Sequence, residues 1–432
     1  MGEPTTTTDL IPPARPTTTP QVLAVAAYRF PHGDAMSNRL LQLARSATPP
    51  GGTTLVVNDW PEDGSHPPES PDLPPGVRLI TLPRRRIGGG MAGRWLHRCT
   101  RPLRVLAALR RAGVRPGALA GVHLPLSVWN LVTWAVLRTA VRCPVTVDVL
   151  ERHDRAQFPR GWLTPYFVRH RWAFFLAGRL ADRVIAISET LERHFVGRGR
   201  PTLVVPPQVD CADFADPAPS SLDGGLRLLY AGSAGAKDQL AVVLEGIRGL
   251  APEDRSRVRL VIAGMSRERA GSLSDLGATS PDDLDDQVTF LGRVPRDRVL
   301  AELRLAHFSV LVRPPAGYAR AGFPSKVPES LAAGCPVLLN HTSDLGRYIV
   351  DGREGIVLGG CGADDVRRGL ERALLLDDQG WWSMSRAARE RAYCFDYRAW
   401  TAVVSDFVTG ATRGPGVGSS ARPASSAEVS RR

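Results

Sequence analysis

The feature that most constrains this chain is an alternation of short apolar runs with longer helix-patterned stretches, which runs once, breaks, and begins again. In the first half QVLAVAAY (Gln21–Tyr28), TTLVVND, VRLITLP, LAGVHL, PVTVDVL and RVIAIS read as strands. NRLLQLARS (Asn38–Ser46), RPLRVLAALRRAG and SVWNLVTWAVLRTA carry apolar residues at helical spacing between some of them. Strands separated by helices of this length predict a mostly parallel, doubly wound sheet with ligands at the carboxyl ends of its strands. The break is VPPQVDCADFADPAPSSLDGG (Val205–Gly225), whose Pro, Asp, Ser and Gly mark a linker. LRLLYAG then restarts the pattern, followed by a helix over Asp238–Leu250 and the runs VRLVIAG, VTFLG, FSVLV, PVLLN and EGIVLG. The expected fold class is α/β, with doubly wound domains over 21–206 and 226–394 facing each other across a cleft and a linker over 207–225. Helices near Asp378–Tyr393 and Arg398–Val408 end the folded part, and the last, about 395–409, is a candidate to pack back on the first domain. Residues 1–20, rich in Thr and Pro, and 410–432, rich in Gly, Ser, Pro and Arg, read as disordered.

Of the 55 basic residues only two are lysine, Lys237 and Lys326. A chain that writes its cations as arginine wherever either serves keeps lysine where a compact, hydrated ammonium with rotatable donors is wanted. Both lie in a glycine-bearing turn between a strand-like and a helix-like run: Lys237 in YAGSAGAKD (Tyr230–Asp238), Lys326 in GFPSKVPESLAAGCP (Gly322–Pro336). Such turns are where phosphate is held. Either lysine alone reads better as a solvated surface charge; their coincidence with the same kind of turn favours phosphate.

The formal charge of +12 is spread along the length, with only Arg84-Arg85-Arg86 as a tight run and no aromatic residues interleaved around it. We read it as mild attraction to anionic substrates or surfaces, and expect no nucleic-acid partner. Six cysteines, widely separated and without a C-x-x-C pair, argue against a zinc site or disulfide framework and fit a reducing cytoplasm. The N-terminus has no apolar core of a signal peptide, and no window is long and apolar enough to span a bilayer. Leu163–Leu180 mixes Tyr166, Phe167, Trp172, Phe174 and Phe175 with Arg and His. A core or inter-domain helix is the expected role, and peripheral contact with a membrane surface is the alternative. No G-x-G-x-x-G follows a strand and no P-loop is present. The pairs Asp282-Asp283, Asp285-Asp286 and Asp377-Asp378 read as solvated charge or helix caps, so no divalent metal and no cofactor are expected.

FPHGDAMSNRLLQLA, ADRVIAISETL, VVPPQVDCADF, YAGSAGAKD, VTFLGRVPRDRVLAEL, GFPSKVPESLAAGCPVL and NHTSDLGRYIVDGREGIVL, in this order, span about residues 20 to 410. Together they resemble the family-4 glycosyltransferases: GT-B fold, two Rossmann-like domains, retaining, metal-independent and dependent on a nucleotide-diphosphate sugar. Within that family the chain is similar to a subgroup with a GFP-[ST]-K-x-x-E-S motif. The resemblance implies that Glu329 grips the donor ribose, a fitting role for a carboxylate facing a vicinal diol. A helix-start Glu favouring the macrodipole is the structural alternative, since Ser330–Ala333 and Gly334 read as a helix and its stop. It further implies that Lys237 meets the diphosphate and that Gly33 lets backbone N–H groups approach it, an ordinary turn glycine being the alternative. Gly232, Ser233, Gly322 and Phe323 complete the donor side. Where the wider family has a sugar-touching glutamate this chain has Ala321, and where an arginine usually precedes the lysine it has Ser233. Arg320 or Lys326 is expected to supply the missing positive charge, the latter on physical grounds alone. His153, near Asp148 at the end of the PVTVDVL strand, falls where relatives place acceptor-side residues.

The function implied is transfer of a sugar, with retention, from a nucleotide-diphosphate sugar to a hydroxyl or other nucleophile of a small molecule or glycan, in secondary-metabolite or cell-surface biosynthesis. Lys237, Lys326 and Arg320 would stabilise the leaving diphosphate, and His153 would be the acceptor-side catalytic candidate. The alternatives are a sugar-nucleotide epimerase or phosphorylase on the same fold, or a catalytically decayed partner protein.

Overall fold

The computed structural model describes residues 20–26, 30–31, 35–58, 73–82, 91–158, 160–232, 237–271, 284 and 286–411. Gly33, Ser233, the Arg84–Arg86 run, residues 1–19 and 412–432 of the two ends expected to be disordered, and Asp282, Asp283 and Asp285 lie outside them. The first unit is a seven-stranded parallel sheet of β1 (Gln21–Ala26), β2 (Thr53–Asn58), β3 (Val77–Thr81), β4 (Leu119–Pro125), β5 (Val145–Val149), β6 (Arg183–Ala186) and β7 (Thr202–Val204), in the order β3-β2-β1-β4-β5-β6-β7. Its helices are α1 (Ala35–Ala47), α2 (Met91–Arg111), α3 (Val128–Ala140), α4 (Pro165–Leu180) and α5 (Glu189–Val196). β1 and β5 are buried almost end to end, as parallel strands covered on both faces must be; β1 reads as a nearly unbroken apolar run, whereas β5 buries Thr146 and Asp148 among its valines.

The second unit is a six-stranded parallel sheet of β8 (Leu226–Ala231), β9 (Val258–Ala263), β10 (Val288–Gly292), β11 (Phe308–Leu311), β12 (Val337–Asn340) and β13 (Gly355–Leu358), ordered β10-β9-β8-β11-β12-β13. Around it stand α6 (Leu240–Arg248), α7 (Pro252–Ser256), α8 (Arg267–Gly271), α9 (Arg296–Leu305), α10 (Gly317–Ala321), α11 (Lys326–Ala332), α12 (Ala363–Leu374) and α13 (Asp378–Ala392). The expected doubly wound pair is what the chain forms. α11 opens at Lys326, earlier than its apolar spacing indicated, because Pro328 in the first turn costs no hydrogen bond that the helix would otherwise make.

α14 (Tyr397–Thr409) lies against α1 and β4 of the first unit. Asp396 caps its start by accepting from the Arg398 N–H, and Gly410 ends it in the left-handed conformation, φ 82°. The approach is so close that a Cβ on Gly121 in β4 would stand 2.4 Å from the Val408 carbonyl oxygen, so only glycine fits there. The chain thus crosses between the units twice, and the crossings are tied together. Val209 pairs with Asp396, the Cys211 N–H donates to Asp396 Oδ2 at 3.0 Å, and Asp210 accepts from Arg45 at 2.6 Å and Arg398 at 2.8 Å. One apolar cluster also runs through both units, from Val147, Phe174 and Val184 to Phe323, Leu331 and Val337.

Candidate active site

Each sheet reverses its strand order once, between β1 and β4 and between β8 and β11. At such switch points the loops leaving adjacent strands diverge and open a crevice. In the second unit Gly232 follows β8 and Arg313 follows β11, so both belong to the crevice. There the structure builds a buried ion network on Asp238. Its carboxylate accepts from Arg313 Nε at 2.8 Å and from Lys326 Nζ at 2.5 Å, while Asn340 holds Arg313 by its backbone N–H and carbonyl. Burial pushes the Asp238 carboxyl up, but the charges of Lys326 and Arg313 outweigh it and leave the pKa below the ordinary value.

Lys326 lies on the glycine turn itself. Gly232 has φ +145°, and a Cβ there would fall 2.4 Å from Lys326 Nζ. The ammonium also sits 5.1 Å from the centre of the Tyr230 ring. Lys326, expected to face phosphate, is therefore first a brace that ties α11 to the turn after β8. Asp238, which closes that brace, escaped sequence reasoning because a carboxylate beside a lysine reads as ordinary solvated charge.

Lys237 reaches the other way, across the cleft, to Glu151 in the loop after β5. Glu151 also lies 3.0 Å from His153 Nε2, which is 3.2 Å from the Tyr166 hydroxyl. Burial raises the Glu151 carboxyl, but the hydrogen bond from His153 and the charge of Lys237 bring it down to about 2. Behind them burial, helped by the neighbouring His153, holds the His170 imidazole at about 4, so that ring is neutral at pH 7. The structure thus brings Lys237 and His153 to one carboxylate. That carboxylate was hidden in the polar tetrad Glu151-Arg152-His153-Asp154, where four adjacent candidates give no alignment. Asp148, in β5, is not part of the group; it forms a buried pair with Arg39 of α1 at 2.8 Å.

Glu329 stands in the first turn of α11, partly exposed, with Arg296 of α9 3.5 Å from its Oε1. Burial lifts its carboxyl above the ordinary value by more than the charge of Arg296 lowers it. Arg320 is exposed in the last turn of α10, and Gly322 comes close to the Leu150 carbonyl of the first unit. Phe323 corrects an expectation. Its side chain packs in the core against Tyr348 and Phe395, with ring centres 5.7 and 5.9 Å away, so it is not a donor-facing ring. Ala321 is also fully buried, and its carbonyl accepts from Ser188 Oγ of the first unit at 2.7 Å. The position where the sequence resemblance expects a glutamate is here a buried alanine whose backbone bonds to the other unit. Asp377 caps α13 and Asp378 accepts from the Leu222 N–H, so this acidic pair has structural work.

The arrangement offers an ammonium, a partly exposed carboxylate and a histidine–carboxylate pair around one cleft, a set suited to a charged, hydroxyl-rich ligand. Residues 225–375 match the family described as Glycosyl transferases group 1, so the second unit carries a glycosyltransferase domain. No curated protein matches the chain. Among solved structures, sucrose-phosphate synthase from Thermosynechococcus elongatus is similar with TM-score 0.67 at 16% identity, covering 90% of this chain and 98% of that one. HepE of Anabaena, solved with UDP and glucose, gives 0.62 at 15% identity over 89% and 98%. WaaG, a glycosyltransferase involved in lipopolysaccharide biosynthesis, gives 0.60 at 16% identity over 90% and 100%. At these identities the likeness is one of fold, the two-unit GT-B arrangement.

Proposed function

We propose that this chain is a retaining glycosyltransferase of the family-4 kind, moving a sugar from a nucleotide-diphosphate sugar to a hydroxyl of a small-molecule or glycan acceptor without a divalent ion. The observation that carries the reading is Lys237. Within the group 1 domain, at the switch point of its sheet, the Lys237 ammonium meets a carboxylate of the opposite unit across the cleft. A diphosphate offers the same ammonium more negative charge than Glu151 does, and would take its place.

In this reading the nucleotide lies on the second unit, with Glu329 accepting from the ribose hydroxyls and Lys237 on the diphosphate. Lys326 holds the Gly232 turn rigid through Asp238. As the bond from the sugar to the leaving phosphate oxygen breaks, the bond to the acceptor oxygen forms on the same face, and the acceptor proton passes to the departing phosphate. Lys237 stabilises the charge that collects there, and Arg320 adds positive charge at the rim. His153, oriented by Glu151, stands at the acceptor end. Six free thiols are in keeping with work in a reducing cytoplasm.

Glu151→Gln removes the competing charge while keeping the shape. The pair is partly exposed, so the expected gain is modest, a two- to fivefold tighter UDP affinity by titration, roughly the worth of a screened ion pair. An unchanged affinity would mean that Glu151 does not hold the site of the phosphate. The reading as a whole is tested by incubating the full chain with a panel of nucleotide sugars and measuring slow hydrolysis. One donor should release free sugar of retained configuration. Release from none of them, or release only with an added metal ion, would contradict the proposal.

A further inference from the structure

We propose that the helical layer α2–α3–α4 of the first unit is a docking face for an anionic lipid surface. α3 packs against both α2 and α4, so the three helices cover one side of the sheet and share one outward side. No described helix is long and apolar enough to cross a membrane, so the mode of contact is interfacial.

That outward side carries Trp95, Leu103, Trp162, Leu163, Trp172 and Phe175, each between 45% and 82% exposed. On α4 the residues Val168, Trp172, Phe175 and Arg179 fall at helical spacing along the exposed stripe, while Phe167, Ala173, Phe174 and Ala177 fill the buried one. The sequence expectation that this helix is a core element therefore holds for one face only. Several large apolar side chains left in water on packed neighbouring helices and on the turn that leads into α4 mark a surface that meets something.

The charge says what it meets. There is no Asp or Glu between Asp72 and Asp148, and none between Asp154 and Asp182. Arginines replace them, and several lie over the exposed rings: Arg171 is 5.5 Å from the centre of Trp162 and Arg179 is 3.8 Å from that of Phe175. Rings that insert at headgroup depth beside guanidinium groups that reach phosphate are what an anionic bilayer surface accommodates. A second copy of this chain does not fit as well, because its equivalent face would bring arginine against arginine. The acid at the edge, Asp182, is already bound by Arg138 at 2.5 Å. Tyr166, at the start of α4, touches His153, so the docking face runs up to the cleft.

The test is flotation of the full chain with vesicles of phosphatidylcholine alone and of an equal mixture of phosphatidylcholine and phosphatidylglycerol. Binding to the mixed vesicles should exceed binding to the neutral ones by about tenfold or more and weaken as salt is raised. Trp172→Glu with Phe175→Glu should abolish it, and Arg171→Glu with Arg179→Glu should reduce it about tenfold. All of these residues are exposed and outside the cleft, so UDP affinity, measured in parallel, should not change in either variant. Equal binding to neutral vesicles, binding that survives both variants, or no binding would overturn the proposal. So would a lipid-free dimer that Trp172→Glu with Phe175→Glu dissociates, which would assign the face to a second copy. Failure to bind UDP would count against the proposed function and not against this face.

Discussion

Lys237→Ala is expected to lower turnover about a hundredfold or more, the usual cost of removing one preorganised donor from a developing oxyanion. The structure specifies how that loss should look. The ammonium is partly exposed and its partner, Glu151, is anchored independently by His153. Losing a screened ion pair of this kind changes stability by no more than about 1 kcal/mol. The melting temperature should therefore stay close to that of the wild type while kcat falls. If Lys237 also holds the ground-state diphosphate, KM rises as well, and the division between the two reports how much of the contact is made only in the transition state. Full activity in a folded Lys237→Ala protein would remove the cation from the mechanism.

Lys326→Ala should behave differently, because this lysine is structural before it is chemical. Its removal leaves the buried Asp238 with Arg313 as its one remaining charged partner and unties α11 from the turn after β8. A charge-assisted hydrogen bond to a buried carboxylate is worth about 2 kcal/mol, which corresponds to a melting midpoint lower by roughly 4–8 °C for a unit of this size. Activity should fall too if the diphosphate lies beside Gly232 as proposed, since Gly232 loses the side chain packed on it. Lys326→Arg should not rescue it. The ammonium fits against Gly232, where even a methyl group would stand 2.4 Å from it, and a larger guanidinium has to displace the turn. A stable, fully active Lys326→Arg protein would contradict this packing argument. The same geometry accounts for lysine at this position in a chain that otherwise uses arginine.

The two sheets were legible because parallel strands buried on both faces leave mostly apolar runs, as in β1 and β12, and as in β5 and β8 apart from Thr146, Asp148 and Arg227. The strand–helix alternation implied ligands at the carboxyl ends of the strands, and the structure puts both lysines near the switch point of the second sheet. What could not be read is what depends on contacts between distant segments. Glu151 meets Lys237 across 86 positions of chain, and no local period records that pairing. Asp238 meets Arg313 and Lys326 in the same manner. Phe323 beside a glycine turn looks like a ring waiting for a ligand, yet the aromatic pair that receives it, Tyr348 and Phe395, is far away in sequence. Ala321 shows the reverse: a position that the sequence resemblance reads as a missing glutamate is a filled contact between the two units.

The central claim is that Lys237 belongs to a nucleoside-diphosphate site on the second unit. Isothermal titration of the full chain with UDP and with GDP, without metal, tests it most directly. The account predicts saturable one-to-one binding of at least one of them, weakened at least tenfold in Lys237→Ala, a loss in keeping with a charge-assisted phosphate contact. No binding of either nucleotide, or binding that Lys237→Ala leaves untouched, would contradict it.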